Sequence, residues 1–141
     1  MEDVNDLILK NADSAAVARA AVAVLIEKKA LDVRLYEVGA ENPITDFYVN
    51  ATGRSSTQVA SLADEVVYKL ELQGAVASKV EGRRGESWIL IDYNDVIVNV
   101  FDKESRDFYN LDRLMPEGTA KDISDIVAEI DKKFEIKNTE E

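Results

Sequence analysis

Residues 87–109, SWILIDYNDVIVNVFDKESRDFY, hold most of the side chains in this chain that could do chemistry. Acidic residues mark the ends of its apolar runs: Glu86, Asp92, Asp95, Asp102, Glu104 and Asp107. Carboxylates held close together can bind a divalent cation, and beside a phosphate-binding turn they would serve nucleotidyl transfer. Such a turn is present at Gly53-Arg54-Ser55-Ser56, between a strand pattern and a helix pattern, where backbone amides at a helix start can take a phosphate. The carboxylate pair it would need is missing, because no Asp-x-Asp or Asp-x-Glu follows on the adjoining strand. Asp64 and Glu65 fall inside a helical pattern, and Asp102 with Glu104 comes much later, at a strand end without a third partner. The chain also has no histidine and no cysteine, so neutral-pH proton transfer, thiol nucleophiles and zinc sites lack their usual parts. No catalytic residue, metal or cofactor is expected.

Recognition is the chemistry that remains. Residues 86–112 carry seven acidic side chains against two basic ones, Lys103 and Arg106. A negative rim of this kind speeds encounter with a basic partner and fixes register more than it sets affinity. Affinity comes from a few desolvated anchors, and Trp88, the only tryptophan, and Tyr109 are residue types favoured for that role. Charge over the whole chain agrees: 17 basic against 28 acidic residues give −11, which repels a nucleic-acid backbone and favours a basic protein. Lys79, Arg83 and Arg84 form one small basic cluster, read as loop charge with a minor RNA contact as its alternative.

The elements that must hold these residues alternate between helix and strand. A chain of 141 residues, 46% apolar, is long enough for one domain with a core and short for two. Asp13 or Ser14 caps a helix to about Lys29, with Val17, Ala20, Ala21, Val24 and Leu25 on one stripe. Strands follow at Asp32–Val38 and Phe47–Thr52, separated by the loop GAENPITD. Ser55 or Ser56 caps a second helix carrying Val59, Leu62, Ala63, Val66 and Leu70, which ends at Gly74. Residues 75–82, Ser87–Asp92 and Asp95–Phe101 are the third, fourth and fifth strands, and Asp102 caps a short helix after them. Asn94 supplies the positive φ that a two-residue hairpin turn demands. Past Pro116, Ile123, Ile126, Val127 and Ile130 stay in helical register before a charged tail. No apolar run approaches a bilayer span, and the first residues lack a signal-peptide pattern, so a cytoplasmic domain without membrane association is expected.

ITDFYVNATGRSSTQVASLADEVVYKL, then VEG, then SWILIDYNDVIVNVFDKESRDFYNLDRL together resemble the ribosomal silencing factor (RsfS) family, also called Iojap-like proteins. The resemblance covers roughly residues 14–115. It implies residues 1–12 as an N-terminal extension, 13–115 as the family's domain and 116–141 as a C-terminal helix and acidic tail. It implies an α/β (α+β) fold, a mixed five-stranded sheet flanked by helices, nucleotidyltransferase-like without the catalytic carboxylates. The function it implies is docking on large-subunit ribosomal protein fourteen and blocking entry of the small subunit. Three positions depart from the family pattern. Asn94 stands where glycine is usual and keeps the turn chemistry. Asn99 stands where histidine is usual and loses a titrating group, and Leu114-Met115 replaces a Leu-Trp ending.

The candidate partner-binding residues are Trp88, Asp92, Asp95, Asn99, Glu104, Arg106 and Tyr109. Several have a plainer reading. Trp88 either fills the core or faces the partner, and strand alternation puts it on one face with Leu90 and Asp92. Val96, Val98 and Val100 are read as core. Of Phe108 and Tyr109 one is expected inside and one outside, and Arg106 is expected to pair with Asp102 or Glu104. Exposed strands and an apolar helix face are also compatible with a homodimer when the protein is free.

Overall fold

The computed structural model describes residues 8–39, 42–82 and 87–140. Asp13 starts the first helix: its backbone is extended and its carboxylate accepts from the Ala16 amide at 2.9 Å, so α1 runs Ser14–Glu27. Of the stripe expected on α1, Ala21, Val24 and Leu25 are buried, joined by Ala18 and Val22, while Val17 and Ala20 are half-buried on its flank. Strand β1 (Leu31–Glu37) pairs antiparallel with β2 (Phe47–Gly53). Ser55 caps α2 (Ser56–Leu72), whose five expected core residues, Val59, Leu62, Ala63, Val66 and Leu70, are all buried. Strands β3 (Lys79–Glu81), β4 (Trp88–Asp92) and β5 (Val96–Asp102) follow, then α3 (Lys103–Tyr109) and a 3₁₀ turn over Leu111–Leu114.

The sheet order is β3-β4-β5-β2-β1-β6. The five expected strands are joined by a sixth, β6 (Ala120–Lys121), which two residues are too few to announce in a sequence; it pairs with β1 through Leu35 and Tyr36. Among the described strands only β2 and β5 run parallel, and that pair forms the centre of the sheet. One face takes the helices. Val49 and Ala51 of β2, Ile89 and Ile91 of β4, and Val96, Val98 and Val100 of β5 pack with α1 and α2 residues in a single apolar cluster. Helix α4 (Ser124–Glu140) adds Ile126 and Ile130 to it, and Leu9, ahead of α1, is buried there too, its amide bonded to the Gln73 carbonyl at 2.7 Å.

The hairpin between β4 and β5 turns on Asn94, at φ 73°. Tyr93 N–H donates to the Val96 carbonyl at 2.8 Å, which leaves Asn94 and Asp95 as the two loop residues, and Asp92 Oδ1 accepts from the Asn94 amide at 2.7 Å. Successive strand residues point to opposite faces, so on this pair the second sheet face carries Trp88, Leu90, Ile97, Asn99 and Phe101. Helix α3 lies at the Trp88 end of that face.

Candidate docking surface

The second face of the sheet is polar where a sheet interior is usually apolar. Asn50 is 0% exposed and Asn99 1%, and they stand opposite each other on β2 and β5. Burial of four amide polar groups is tolerable only if they are bonded, and they are. Asn99 Nδ2 donates to Asn50 Oδ1 at 3.1 Å, and Asn50 Nδ2 donates to Asp112 Oδ1 at 3.1 Å. Trp88 Nε1 donates to Asn99 Oδ1 at 3.0 Å. Tyr36 Oη donates to Asp112 Oδ1 at 2.7 Å.

Arg106 closes the network. It is 6% exposed; its Nε donates to Asp112 Oδ2 at 2.6 Å and its Nη1 to Thr52 Oγ1 at 2.8 Å. Local backbone geometry brings these partners together. Asn110 caps α3 in the left-handed region, at φ 47° and ψ 51°, which turns the chain so that Asp112 comes back onto Arg106. On the other side, one extra residue in β1 between Leu31 and Arg34 forms a bulge, with Asp32 at φ 45°. The bulge aims Asp32 at Arg106, Oδ2 to Nη2 at 3.5 Å. Arg106 therefore does not pair with Asp102 or Glu104, as its helix spacing suggested. Asp102 is already committed to capping α3, its Oδ1 accepting from the Ser105 amide at 2.8 Å.

Burial pushes the Asp112 carboxyl up, but the bonds from Arg106, Tyr36 and Asn50 outweigh this and hold its pKa below the ordinary carboxylate value. The Tyr36 phenol moves up, through burial and then through its bond to Asp112.

Beside the network four aromatic rings form a row from inside to outside. Phe101 is fully buried, Trp88 half-buried, Tyr109 48% exposed and Phe108 78% exposed. Trp88 stacks on Phe101 at 5.1 Å and meets Tyr109 at 4.8 Å, and Phe108 meets Tyr109 edge-on at 5.0 Å. The choice between core and surface for Trp88 thus has a double answer: one ring contact reaches the sheet interior and the other leads out. Phe108 and Tyr109 were expected to divide between inside and outside; both are exposed, because α3 is a short helix whose buried position is taken by Arg106.

The acidic rim separates into two groups. Asp92 and Asp95 sit at the Asn94 turn, whereas Glu104 and Asp107 lie exposed on α3, beside the aromatic row. Four residues of strand, about 13 Å at the usual rise, separate Asp92 from Trp88. Of the expected partner-binding residues, Trp88, Asn99, Arg106 and Tyr109 come together, Glu104 is near them on α3, and Asp92 with Asp95 is remote. Glu86, Arg83 and Arg84 lie outside the described residues.

At the rival turn, Ser55 Oγ accepts from the Gln58 amide at 3.1 Å, and Gln58 Oε1 accepts from the Arg54 amide. Two of the amides a phosphate would use are therefore occupied by the turn's own side chains. Gly53 has a packing reason to be glycine, since a Cβ there would stand 2.9 Å from both Val59 Cγ2 and Val59 N. Asp64 is exposed and Glu65 half-buried on α2, and among the described residues no cluster of acidic side chains is suited to a metal ion.

A family model described as ribosomal silencing factor during starvation matches residues 11–141. The chain belongs to the ribosomal silencing factor family. The ribosomal silencing factor of Zymomonas mobilis is 34% identical over 98 residues, 70% of this chain and 74% of that protein. A mouse protein named mitochondrial assembly of ribosomal large subunit protein 1 is 26% identical over 77% of this chain, which spans 48% of that relative's length. A crystal structure of a Chromobacterium violaceum protein superposes with a TM-score of 0.70 at 28% identity, covering 73% of this chain and 86% of that one. Asn99, which the resemblance sets at a position where histidine is expected, lies in the middle of this buried network. Its amide does what a neutral imidazole can also do, accepting one hydrogen bond and donating another.

Sequence reading missed Tyr36, Asn50, Thr52, Asp32 and Asp112. One signal was available for Asn50: it and Asn99 occur as Val-Asn in strands that are otherwise apolar, YVNAT and IVNVF, and asparagine is depleted from strands. Asp112 carried no such signal, because its role depends on the reversal at Asn110.

Proposed function

We propose that the protein binds the large ribosomal subunit and represses translation by occupying the surface where the small subunit joins. The docking element is the α3 side of the sheet, with Trp88, Tyr109 and Phe108 as anchors and Glu104 and Asp107 as the charged rim. Its partner is a basic ribosomal protein, large-subunit protein fourteen on the family resemblance. The observation that carries this reading is the aromatic row, which presents large apolar rings at a sheet face next to carboxylates. Soluble domains rarely spend exposed aromatics this way without a partner. Family membership and the mouse relative's name support the large subunit as the target. Repression by this route involves no bond-making, so the protein acts as a binding factor and not an enzyme: a domain seated on the joining surface excludes the other subunit by its volume.

Asp92 and Asp95 form a second, outlying contact in this scheme. Lys79, exposed and 2.8 Å from Glu81, is charge paired on its own strand, which favours the plain loop-charge reading over a minor contact with ribosomal RNA. Co-sedimentation tests the main claim: the protein pellets with purified large subunits and stays in the supernatant with small ones. Equal pelleting with both, or with neither, rejects it.

A further inference from the structure

Four side chains cross the sheet in one unbroken line of hydrogen bonds: Trp88 to Asn99, Asn99 to Asn50, Asn50 to Asp112. The two ends of the line are chemically one-way. An indole N–H only donates, and an ionised carboxylate only accepts. Between such ends each amide has a single orientation that satisfies both neighbours. Asn50 must turn its NH₂ to Asp112, which turns its carbonyl to Asn99. Asn99 must then give its NH₂ to Asn50 and its carbonyl to the indole. Flipping either amide sets donor against donor or acceptor against acceptor at sites that are 0% and 1% exposed, where water cannot make up the loss. Arg106 and Tyr36 both donate to the Asp112 carboxylate, which secures it as an acceptor. The direction of the line is thus set at the 3₁₀ turn and read out at Trp88.

We propose that Asp112, held by Arg106, positions Trp88 for docking through Asn50 and Asn99. The inference rests on the reading of Trp88 as a docking side chain. With its N–H committed to Asn99 and its ring between Phe101 and Tyr109, Trp88 meets a partner already in one orientation. A side chain that is ordered beforehand loses less entropy on binding. Asp112 and Asn50 are positioning residues here; they act through Trp88 and need no contact with the partner.

Because Trp88 is the only tryptophan, the ¹⁵N-labelled chain gives one indole resonance, which reports on the end of the line. Asn50→Leu removes the middle link while leaving Trp88 and Asn99 in place. The expected result is a shifted indole resonance, with N–H exchange roughly three- to tenfold faster, the loss that accompanies one ordinary hydrogen bond. Affinity for purified large subunits falls with it. Asn50→Ser, smaller and too short to reach both neighbours, carries the same test if leucine prevents folding. An unmoved indole resonance in a folded variant overturns the proposal. So does a moved resonance with unchanged affinity, when Trp88→Ala does weaken binding. Full affinity in Trp88→Ala removes the docking role of Trp88 itself, and the proposal with it, whatever the indole shows.

Discussion

Arg106 and Asp112 face each other across the left-handed backbone of Asn110, with Nε 2.6 Å from Oδ2. This pair fastens α3 and the 3₁₀ turn to each other, and through Thr52 to the centre of the sheet. Removing one partner of a buried pair leaves the other charge without compensation, which costs more than the pair itself contributes. Asp112→Ala leaves a guanidinium 6% exposed with, among the described residues, only Asp32, 3.5 Å away, as a paired carboxylate. The expected loss is about 3–5 kcal/mol, readable as a lower urea midpoint. Arg106→Lys, with Asp112 intact, is also destabilising, because one ammonium cannot replace the forked contacts to Asp112 and Thr52. A loss within the range of ordinary surface substitutions would show that the network carries no stability.

Acid stability follows from the same carboxylate. Asp112 has a folded pKa below its ordinary value, so its contribution is complete above the ordinary carboxylate range and disappears as pH falls through the folded value. Unfolding midpoints should therefore drop on acidification below about pH 4. In Asp112→Asn, less stable at neutral pH, part of that acid dependence is gone. Denaturant titrations of both proteins across the acid range compare the slopes, and equal slopes would assign the acid sensitivity to other groups.

Much of this architecture can be read from patterns that act locally. The α2 stripe, the Asp102 cap, the Asn94 turn and the valines of β5 all follow from spacing and from the backbone preferences of single residues. The buried network cannot be read that way. Asn50 and Asn99 meet only because β2 and β5 are parallel neighbours, and parallel pairing leaves no turn signal in the sequence. Asp112 and Asp32 reach Arg106 only after a left-handed residue and a β-bulge redirect the chain. Phe108 and Tyr109 were misread for a related reason: a seven-residue helix need not bury an apolar stripe when a bonded arginine occupies its inner side. Composition singles out the aromatics and carboxylates of the proposed docking surface, but what orders them lies in long-range contacts.

Asn99→His should be tolerated. A neutral imidazole has one donor and one acceptor, so it can accept from the Trp88 indole and donate to Asn50 Oδ1 as the amide does. Asn99→Leu can do neither and leaves buried polar groups on both sides unpaired, at about 1–3 kcal/mol each. Thermal melts of the two variants should separate clearly, with leucine the less stable. The reverse order would mean that side-chain volume, not hydrogen bonding, governs this position.

Gly53→Ala separates packing from phosphate binding at the strand-to-helix turn. A Cβ placed 2.9 Å from the Val59 amide nitrogen meets backbone, which can move only by shifting the first turn of α2. Overpacking of this kind costs about 1–3 kcal/mol. The melting temperature should fall by the same amount with or without magnesium and a nucleoside triphosphate. If nucleotide stabilised the parent and not the variant, the turn would be a ligand site.

Stability and docking should come apart along the aromatic row. Phe108 is 78% exposed, so Phe108→Ala should change the unfolding free energy by no more than about 0.5 kcal/mol. If it is an anchor, the same substitution weakens binding to large subunits by about 2 kcal/mol, some thirtyfold, the scale of an interface hot spot. Trp88→Ala costs both, because the ring packs on fully buried Phe101 as well as facing outward. Charge reversal at Glu104 or Asp107, on the rim, should act mainly on the association rate and should fade as salt is raised. Reversal at Asp95, remote from Trp88, should have a smaller effect than reversal at Glu104. Rapid-mixing measurements at two salt concentrations give these rates directly. A larger effect at Asp95 would move the centre of the docking surface from α3 to the β4–β5 turn.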